Sequence, residues 1–199
     1  HHLLYNMTDP CEYFLMKEKL YKQGMITLHN SRRVNSIYFD NFTYDMFNQS
    51  EEGVVPRKKI RVRWYENKNI FTLEKKISSI EGRFKISNES SDYVTESDVL
   101  KATIFDKDYG ALYPTLMVSY DRAYYTLKNM RVTFDSDINY KNLKLSPMMN
   151  YLDPERVVEI KTSMECGDDF IEKLIPYSTM RFSKYSRGLL ISQRQLGEF

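Results

Sequence analysis

The feature that most constrains the fold of this chain is a strict alternation of apolar and charged residues in several short segments. In "PRKKIRVRWYE", which begins at Pro56, the cations Lys59, Arg61 and Arg63 alternate with apolar residues. Because successive side chains of a β-strand point to opposite faces, the segment predicts a strand with one cationic face and one apolar face.

The same polarity recurs in other segments of the chain. The residues that share a charged face are Thr72, Glu74 and Lys76 in "TLEKK", Arg131, Thr133 and Asp135 in "MRVTFD", Glu159 and Lys161 in "VVEIK", and Arg122 in "VSYDRAY". One interpretation is the solvated outer face that antiparallel sheets commonly have. The other is an anion-binding wall, because the repeated arginines suit phosphate and a charged face can line the inside of a closed barrel.

The predicted elements give an α+β plan of mostly antiparallel sheet with helices at the ends. A helix is expected from Asp9 to Gly24, with Leu15, Met16 and Leu20 as its apolar stripe. Strands are expected at "VNSIYFDN", "KKIRVRWYE", "IFTLEKKIS", "GRFKIS", "TLMVSYDRAYYT", "MRVTFDSDI" and "RVVEIKTS". Further helices are expected in "ESDVLKATIFD", "DDFIEKLI" and "SKYSRGLLISQRQL".

Composition limits the classes of partner. The 199 residues contain 29 Lys plus Arg and 27 Asp plus Glu, a net charge of +2 that provides no general attraction to nucleic acid or lipid, so no nucleic-acid partner is expected. We expect one domain over residues 1–199 and no transmembrane segment. Cys11 and Cys166 lack metal-site spacing and fit a reducing compartment, which predicts a cytoplasmic protein. The oligomeric state is left open.

Seven motifs together carry a family resemblance. "VNSIYFDN", "RKKIRVRWYE", "TLEKK" with "GRFK", "SYDRAYY", "RVTFD", "VVEIK" and "RFSKY" follow the order typical of the VTC domain, and the match is closest to bacterial VTC-domain proteins. The chain therefore resembles the polyphosphate polymerase domain of the triphosphate tunnel metalloenzyme, or CYTH-like, superfamily. The resemblance implies a closed antiparallel β-barrel, the triphosphate tunnel, with helices packed outside and at the ends. It also implies ATP or triphosphate and polyphosphate as ligands, with Mn²⁺ or Mg²⁺ as cofactor.

The resemblance also implies the site residues. Those implied to act in catalysis are Arg61, Arg63, Lys76, Arg122 and Arg131. Those implied to bind phosphate are the same five with Lys85, Lys161, Ser183 and Lys184, and Arg181 is a further contact. Glu159 is implied to hold the metal. The resemblance implies a first strand that carries a tunnel lysine. Because the sequence starts at "HHLLY", this strand is expected to be missing or truncated here, with its lysine lying upstream, lost, or replaced by His1 or His2.

Three functions fit these residues. The first is a polyphosphate polymerase-like phosphotransferase that moves the ATP γ-phosphate onto a growing polyphosphate chain, with a membrane-protein partner that could capture the product. The second is a metal-dependent inorganic or nucleoside triphosphatase, in which water is the acceptor. The third is a noncatalytic polyphosphate-binding module. Sequence does not rank water against phosphate as acceptor, because phosphoryl transfer needs positioning and charge neutralisation in both cases.

Overall fold

The computed structural model describes residues 2–66, 68–162 and 179–194, which form an α+β fold of ten strands and four helices. The strands are β1 His2–Met7, β2 Ile26–Asp40, β3 Arg57–Tyr65, β4 Lys68–Ser79, β5 Gly82–Glu89, β6 Ile104–Asp106, β7 Gly110–Leu127, β8 Met130–Asn142, β9 Asn150–Leu152 and β10 Arg156–Lys161. The helices are α1 Pro10–Lys22, α2 Asp45–Glu52, α3 Glu96–Lys101 and α4 Lys184–Arg194. None of these four helices combines the length and hydrophobicity needed to cross a bilayer.

The main sheet has the strand order β1-β10-β8-β7-β2-β3-β4-β5, with β6 added on β7 and β9 on β8. The pairings of β1 with β10, β10 with β8, β2 with β3, β3 with β4 and β4 with β5 are all antiparallel. Among the described strands, β1 and β5 are the two ends of this order, so hydrogen bonds do not close the sheet into a barrel. The antiparallel α+β plan is thereby confirmed in its coarse form.

The chain divides into two compact units. Among the described residues, the first comprises 2–33, 120–138, 152–162 and 179–182, and the second comprises 34–66, 68–119, 139–151 and 183–194. Strands β2, β7 and β8 each contribute residues to both units, so the chain passes from one unit to the other within these strands.

The core of the first unit lies between α1 and the apolar faces of its strands. Helix α1 begins where the carboxylate of Asp9 accepts a hydrogen bond from the Cys11 amide at 2.8 Å. Its buried residues Tyr13, Met16 and Leu20 pack in one cluster with side chains of β1, β7, β8 and β10. The prediction that Leu15 belongs to this stripe was wrong: Leu15 is 65% exposed, because the buried face follows the spacing 13, 16, 20.

The core of the second unit contains the apolar face predicted for β3. Ile60, Val62 and Trp64 are buried in a cluster that also includes Met46 of α2 and Val99 of α3. Helices therefore cover the apolar side of the strands in each unit, which leaves the charged side chains on the other side. The alternation predicted for β3 is confirmed.

Most predicted elements are confirmed, and the differences have local causes. Five strands extend beyond the predicted segments: β2, β4, β5, β7 and β8. Helix α4 lies within the segment predicted for it. The segment "ESDVLKATIFD" divides into α3 and the short strand β6. Helix α2 was not predicted, because it has no long apolar stripe and its first amides are bound by Asp40 from the end of β2. The predicted helix "DDFIEKLI" lies outside the described residues.

Candidate functional site

A group of side chains on strands β3, β4 and β5, which we call the Glu74 cluster, contains Arg61, Arg63, Glu74 and Lys85. Arg61 lies opposite Glu74 in the antiparallel register of β3 and β4, and Glu74 lies opposite Ser87 of β5. The cationic face predicted from the alternation of "RKKIRVRWY" thus meets a carboxylate on the next strand.

Glu74 is the centre of this cluster and is 6% exposed. Arg61 donates to its Oε2 from Nε at 2.7 Å and from Nη2 at 2.6 Å. Lys85 donates to Oε1 at 2.7 Å, and Arg63 Nη1 lies 3.8 Å from the same oxygen. One carboxylate therefore holds two guanidinium groups and one ammonium group together.

The electrostatics of the cluster favour the ionised form of Glu74. Burial acts to raise its pKa, but the charges of Arg61 and Arg63 and the hydrogen bonds from Lys85 and Arg61 outweigh burial and lower the pKa to about 2. The three cations exceed the one anion, so the surface keeps a positive charge after this internal pairing.

Two further lysines lie on the same face. Lys59 is opposite Lys76 in the β3–β4 register, and Lys76 is opposite Lys85 on β5. Lys59 Nζ donates to Ser183 Oγ at 2.7 Å. Ser183 also caps α4, because its hydroxyl accepts from the Ser186 amide at 3.3 Å. The cationic face therefore reaches the first turn of α4, where Lys184 is half-buried.

Two stacked tyrosines support Arg61. Tyr38 Oη accepts from Arg61 Nη1 at 2.9 Å, and the ring of Tyr38 stacks on that of Tyr185 with centroids 5.1 Å apart. Tyr185 Oη donates to Asp40 Oδ2 at 2.6 Å, and Asp40 binds the first amides of α2. The position of Arg61 thus depends on β2, α2 and α4 as well as on its own strand.

The first unit contains a second charged group around Arg122. Its guanidinium donates to the buried carboxylate of Asp135 through Nε at 2.6 Å and Nη2 at 2.7 Å, and it lies over the Tyr120 ring at 5.2 Å. Burial acts to lower the pKa of Arg122, but the neighbouring Tyr120, Asp135 and Glu159 raise it well above its ordinary value. Arg122 is thus a fixed cation with a bidentate carboxylate partner.

Glu159 lies beside Arg122 at a small crevice, the Glu159 pocket, which is lined by Arg122, Arg131, Thr133, Glu159 and Lys161. Arg122 Nη2 is 3.3 Å from Glu159 Oε2, and Lys161 Nζ is 3.4 Å from Oε1. Thr133 is the cross-strand partner of Glu159, and Arg131 is that of Lys161. The pocket has three cations around one carboxylate, with Asp135 behind Arg122.

The structure places the ten predicted site residues in three settings. Arg61, Arg63, Lys76 and Lys85 lie on the β3–β5 face, Ser183 and Lys184 lie at the start of α4, and Arg122, Arg131, Glu159 and Lys161 line the pocket in the first unit. Arg181 is exposed, while His1 and the side chain of His2 lie outside the described part of the chain. Near the start of the chain, strand β1 pairs with β10 and places Leu4 opposite Glu159.

Sequence reasoning missed Tyr38, Asp40 and Tyr185, which position Arg61, and it placed Asp135 on a charged face without identifying it as the partner of Arg122. For Asp135 a signal was present. Strands β7 and β8 are joined by the two residues 128 and 129, so counting outward from that turn places Arg122 across from Asp135. No comparable signal links Tyr38 with Tyr185, because they are brought together by packing between a strand and a distant helix.

The model of the VTC domain family matches residues 5–192 of this chain. No curated protein sequence matches the chain significantly. The motifs described above lie within the matched range, as do both charged clusters.

Solved structures with the same fold share little sequence with the chain. A candidate adenylate cyclase from Bacillus halodurans has a TM-score of 0.57 at 14% identity, with 92% of this chain and 93% of that chain covered. A candidate adenylyl cyclase from Hippeastrum, whose dominant activity is that of a triphosphatase, has a TM-score of 0.56 at 14% identity, with coverage of 93% and 92%. A candidate adenylate cyclase from Vibrio parahaemolyticus has a TM-score of 0.53 at 12% identity, with coverage of 95% and 96%.

Proposed function

Because the chain belongs to the VTC domain family, we propose that it is a phosphotransferase that moves the γ-phosphate of ATP onto a growing polyphosphate chain. The observation that carries this proposal is the face formed by β3, β4 and β5, where the cations Lys59, Arg61, Arg63, Lys76 and Lys85 lie together and Glu74 contacts three of them, Arg61, Arg63 and Lys85. A surface with this excess of cations favours a ligand with many closely spaced negative charges.

In this proposal the cations of the β3–β5 face bind successive phosphates. Arg61 and Arg63 supply planar guanidinium groups for bidentate contacts, and the exposed side chains of Lys76 and Lys85 add ammonium groups. Ser183 and Lys184 extend the contacts at the first turn of α4, where helix amides favour anions. A strand face that binds repeating units suits a polymer better than a compact ligand.

The Glu159 pocket, in the first unit, offers phosphate contacts of its own. Arg131 is exposed and Lys161 is 54% exposed, so both can reach a phosphate. Arg122 acts mainly through its fixed charge, because Asp135 and Glu159 already accept from its guanidinium. These three cations would neutralise the charge that spreads over phosphate oxygens as the bond to the leaving group breaks.

No protein nucleophile is required for this reaction. The acceptor is a terminal phosphate oxygen that is already ionised, so the protein needs to hold donor and acceptor in line rather than to remove a proton. A closed tunnel remains a proposal. Hydrogen bonds between the described strands do not close the sheet, whose end strands are β1 and β5.

Glu159 can provide one carboxylate ligand to a divalent cation when a bound phosphate supplies further oxygen ligands. Among the described residues no three His, Cys, Asp or Glu side chains come together as a metal cage. Mg²⁺ and similar ions often bind through one or two carboxylates while substrate phosphates and water supply the other oxygens. Mn²⁺ or Mg²⁺ held by Glu159 would polarise a phosphoryl oxygen when bound.

A second candidate function, hydrolysis of a triphosphate, is favoured by the likeness in fold to the Hippeastrum protein with dominant triphosphatase activity. The same cations would bind the substrate, and water would replace the polyphosphate end as the acceptor. The chemistry at the transferred phosphate would not differ.

Incubation of the protein with ATP and Mn²⁺, followed by separation of polymer, ADP and free phosphate on a gel, tests the proposal. Polymer that lengthens with time supports the transferase, whereas stoichiometric free phosphate without polymer supports the triphosphatase. Tight binding of polyphosphate without turnover of ATP would identify a noncatalytic binding module and overturn both enzymatic functions.

A further inference from the structure

The hydroxyl group of Thr133 is buried without a described partner. Thr133 is 3% exposed, and within residues 2–66, 68–162 and 179–194 its Oγ1 has no hydrogen-bond partner. Buried polar groups in folded proteins nearly always have one, because leaving a hydroxyl group unpaired away from water is unfavourable. The position therefore calls for an explanation.

The surroundings of Thr133 indicate what kind of group would bind it. It lines the Glu159 pocket together with Arg122, Arg131 and Lys161, and its cross-strand neighbour is Glu159. The carboxylate of Glu159 is within 3.3 Å of Arg122 Nη2 and 3.4 Å of Lys161 Nζ. The pocket thus surrounds the hydroxyl group with three cations and one carboxylate, and this excess of positive charge favours an anionic ligand.

Other buried oxygens do not share this setting. Ser36 Oγ and Asn6 Oδ1 also have no described partner, but neither residue lines the pocket. Thr133 combines a hydroxyl group that has no described partner with a position in the lining of the Glu159 pocket.

We propose that the Thr133 hydroxyl group donates a hydrogen bond to a phosphate oxygen of the polyanion bound in the Glu159 pocket. This inference rests on the proposed function and adds a neutral, directional contact to a set of cations. A threonine hydroxyl at this position would add a directional hydrogen bond that helps to fix the orientation of one phosphate, beside the arginine guanidinium groups and the less directional ammonium group of Lys161.

The test compares Thr133→Val with Thr133→Ser. Valine has nearly the same shape as threonine and lacks the hydroxyl group, so without ligand Thr133→Val should raise the melting temperature by removing an unpaired buried polar group. Binding of inorganic tripolyphosphate, measured by calorimetry in the presence of a chelator, should weaken roughly tenfold. Thr133→Ser keeps the donor and should bind within about threefold of the parent protein.

Thr115→Val is the matched control. Thr115 is also fully buried, but its Oγ1 donates to the Tyr113 carbonyl at 2.9 Å. The same substitution there should lower the melting temperature, because it removes a formed hydrogen bond, and should leave tripolyphosphate affinity unchanged.

Several outcomes would overturn the inference. Equal affinity of the parent and Thr133→Val would remove the phosphate contact while leaving the proposed function intact. Weakened binding that appears only when Mn²⁺ is added would indicate that the hydroxyl group contacts the metal ion and not a phosphate oxygen. A lower melting temperature for Thr133→Val would indicate a hydrogen bond within the folded protein. Failure of the parent to bind tripolyphosphate with or without Mn²⁺ would overturn both this inference and the proposed function.

Discussion

Arg61 donates two hydrogen bonds to one oxygen of Glu74, from Nε at 2.7 Å and from Nη2 at 2.6 Å. The cationic face of β3 therefore contains its own counter-ion. Glu74 reduces repulsion among Arg61, Arg63 and Lys85 and holds their side chains in place before any ligand binds. A preorganised set of donors loses less conformational entropy on binding than a set of mobile side chains.

Glu74→Gln should make the free energy of unfolding vary less with pH in the acidic range. The folded-state pKa of Glu74 is about 2, below its ordinary value of 4.5, so the ionised carboxylate stabilises the fold above pH 4.5 and loses this effect as pH falls towards 2. We expect the free energy of unfolding of the variant to be about 2 to 3 kcal/mol lower than that of the parent at pH 7. This difference should shrink as the pH falls from 4.5 to 2.

Urea unfolding of both proteins across this pH range measures the effect. Glu51→Gln, at an exposed position in α2, is the control and should leave stability nearly unchanged. A constant difference between the parent and Glu74→Gln from pH 7 to pH 2.5 would contradict the low pKa of Glu74.

Arg61→Ala should weaken binding of tripolyphosphate by about ten- to a hundredfold, because a charge-assisted contact contributes roughly 1.5 to 3 kcal/mol. It should also lower the free energy of unfolding by about 1 to 3 kcal/mol, since buried Glu74 keeps Lys85 but loses two hydrogen bonds. Calorimetric titration and urea unfolding measure the two effects separately.

Arg57→Ala is the matched control for this change. Arg57 is on the same strand, but its Nη1 donates to the carbonyl oxygens of Gly53 and Val54, so its loss should have little effect on binding. Equal losses of affinity in both variants would show that only total charge matters and would refute a specific contact at Arg61.

Glu159→Gln should separate binding from turnover. The amide keeps the shape of the side chain but removes a hard anionic oxygen that Mn²⁺ or Mg²⁺ needs, so metal-dependent turnover of ATP should fall at least a hundredfold, on the order of 3 kcal/mol. Tripolyphosphate binding in the presence of a chelator should be equal or tighter, because the pocket becomes more positive.

The same protein samples test the metal directly. Mn²⁺ alone should bind the parent weakly, since no cage of three ligands exists among the described residues, and tripolyphosphate should strengthen its binding. Electron paramagnetic resonance of Mn²⁺ distinguishes free from bound ion. Turnover by Glu159→Gln close to that of the parent would exclude the metal role.

Gly188→Ala tests the packing of α4. A Cβ atom at Gly188 would lie 2.5 Å from Tyr140 Cδ1 and 2.7 Å from Leu116 Cδ2, both of which belong to fully buried side chains. Alanine favours helix by about 1 kcal/mol, but overpacking typically costs about 1 to 3 kcal/mol, so we expect net destabilisation in urea unfolding. Gln193→Ala, on an exposed position of the same helix, should be neutral or slightly stabilising.

Strand faces were predictable from sequence because side-chain direction along a strand depends only on position. The alternation in "RKKIRVRWY" predicted that Ile60 and Val62 would be buried and that Arg61 and Arg63 would share the other face. Helix α1 was predictable for a similar reason, since the Asp9 cap and Pro10 act within one turn. The roles of Arg131, Lys161 and Glu159 in binding stay predictions.

The sequence by itself determined the family, the α+β class and the faces that carry charge, because these depend on local periodicity and on motifs read in order. Only the tertiary structure decided which partner each charge has: Arg122 pairs with Asp135, Glu74 holds Arg61 and Lys85, and Thr133 is left with an unpaired hydroxyl group in the described part of the chain. The physical reason is that strand alternation fixes a direction for each side chain, whereas the distance between two charged atoms depends on strand register and on packing by residues far apart in sequence.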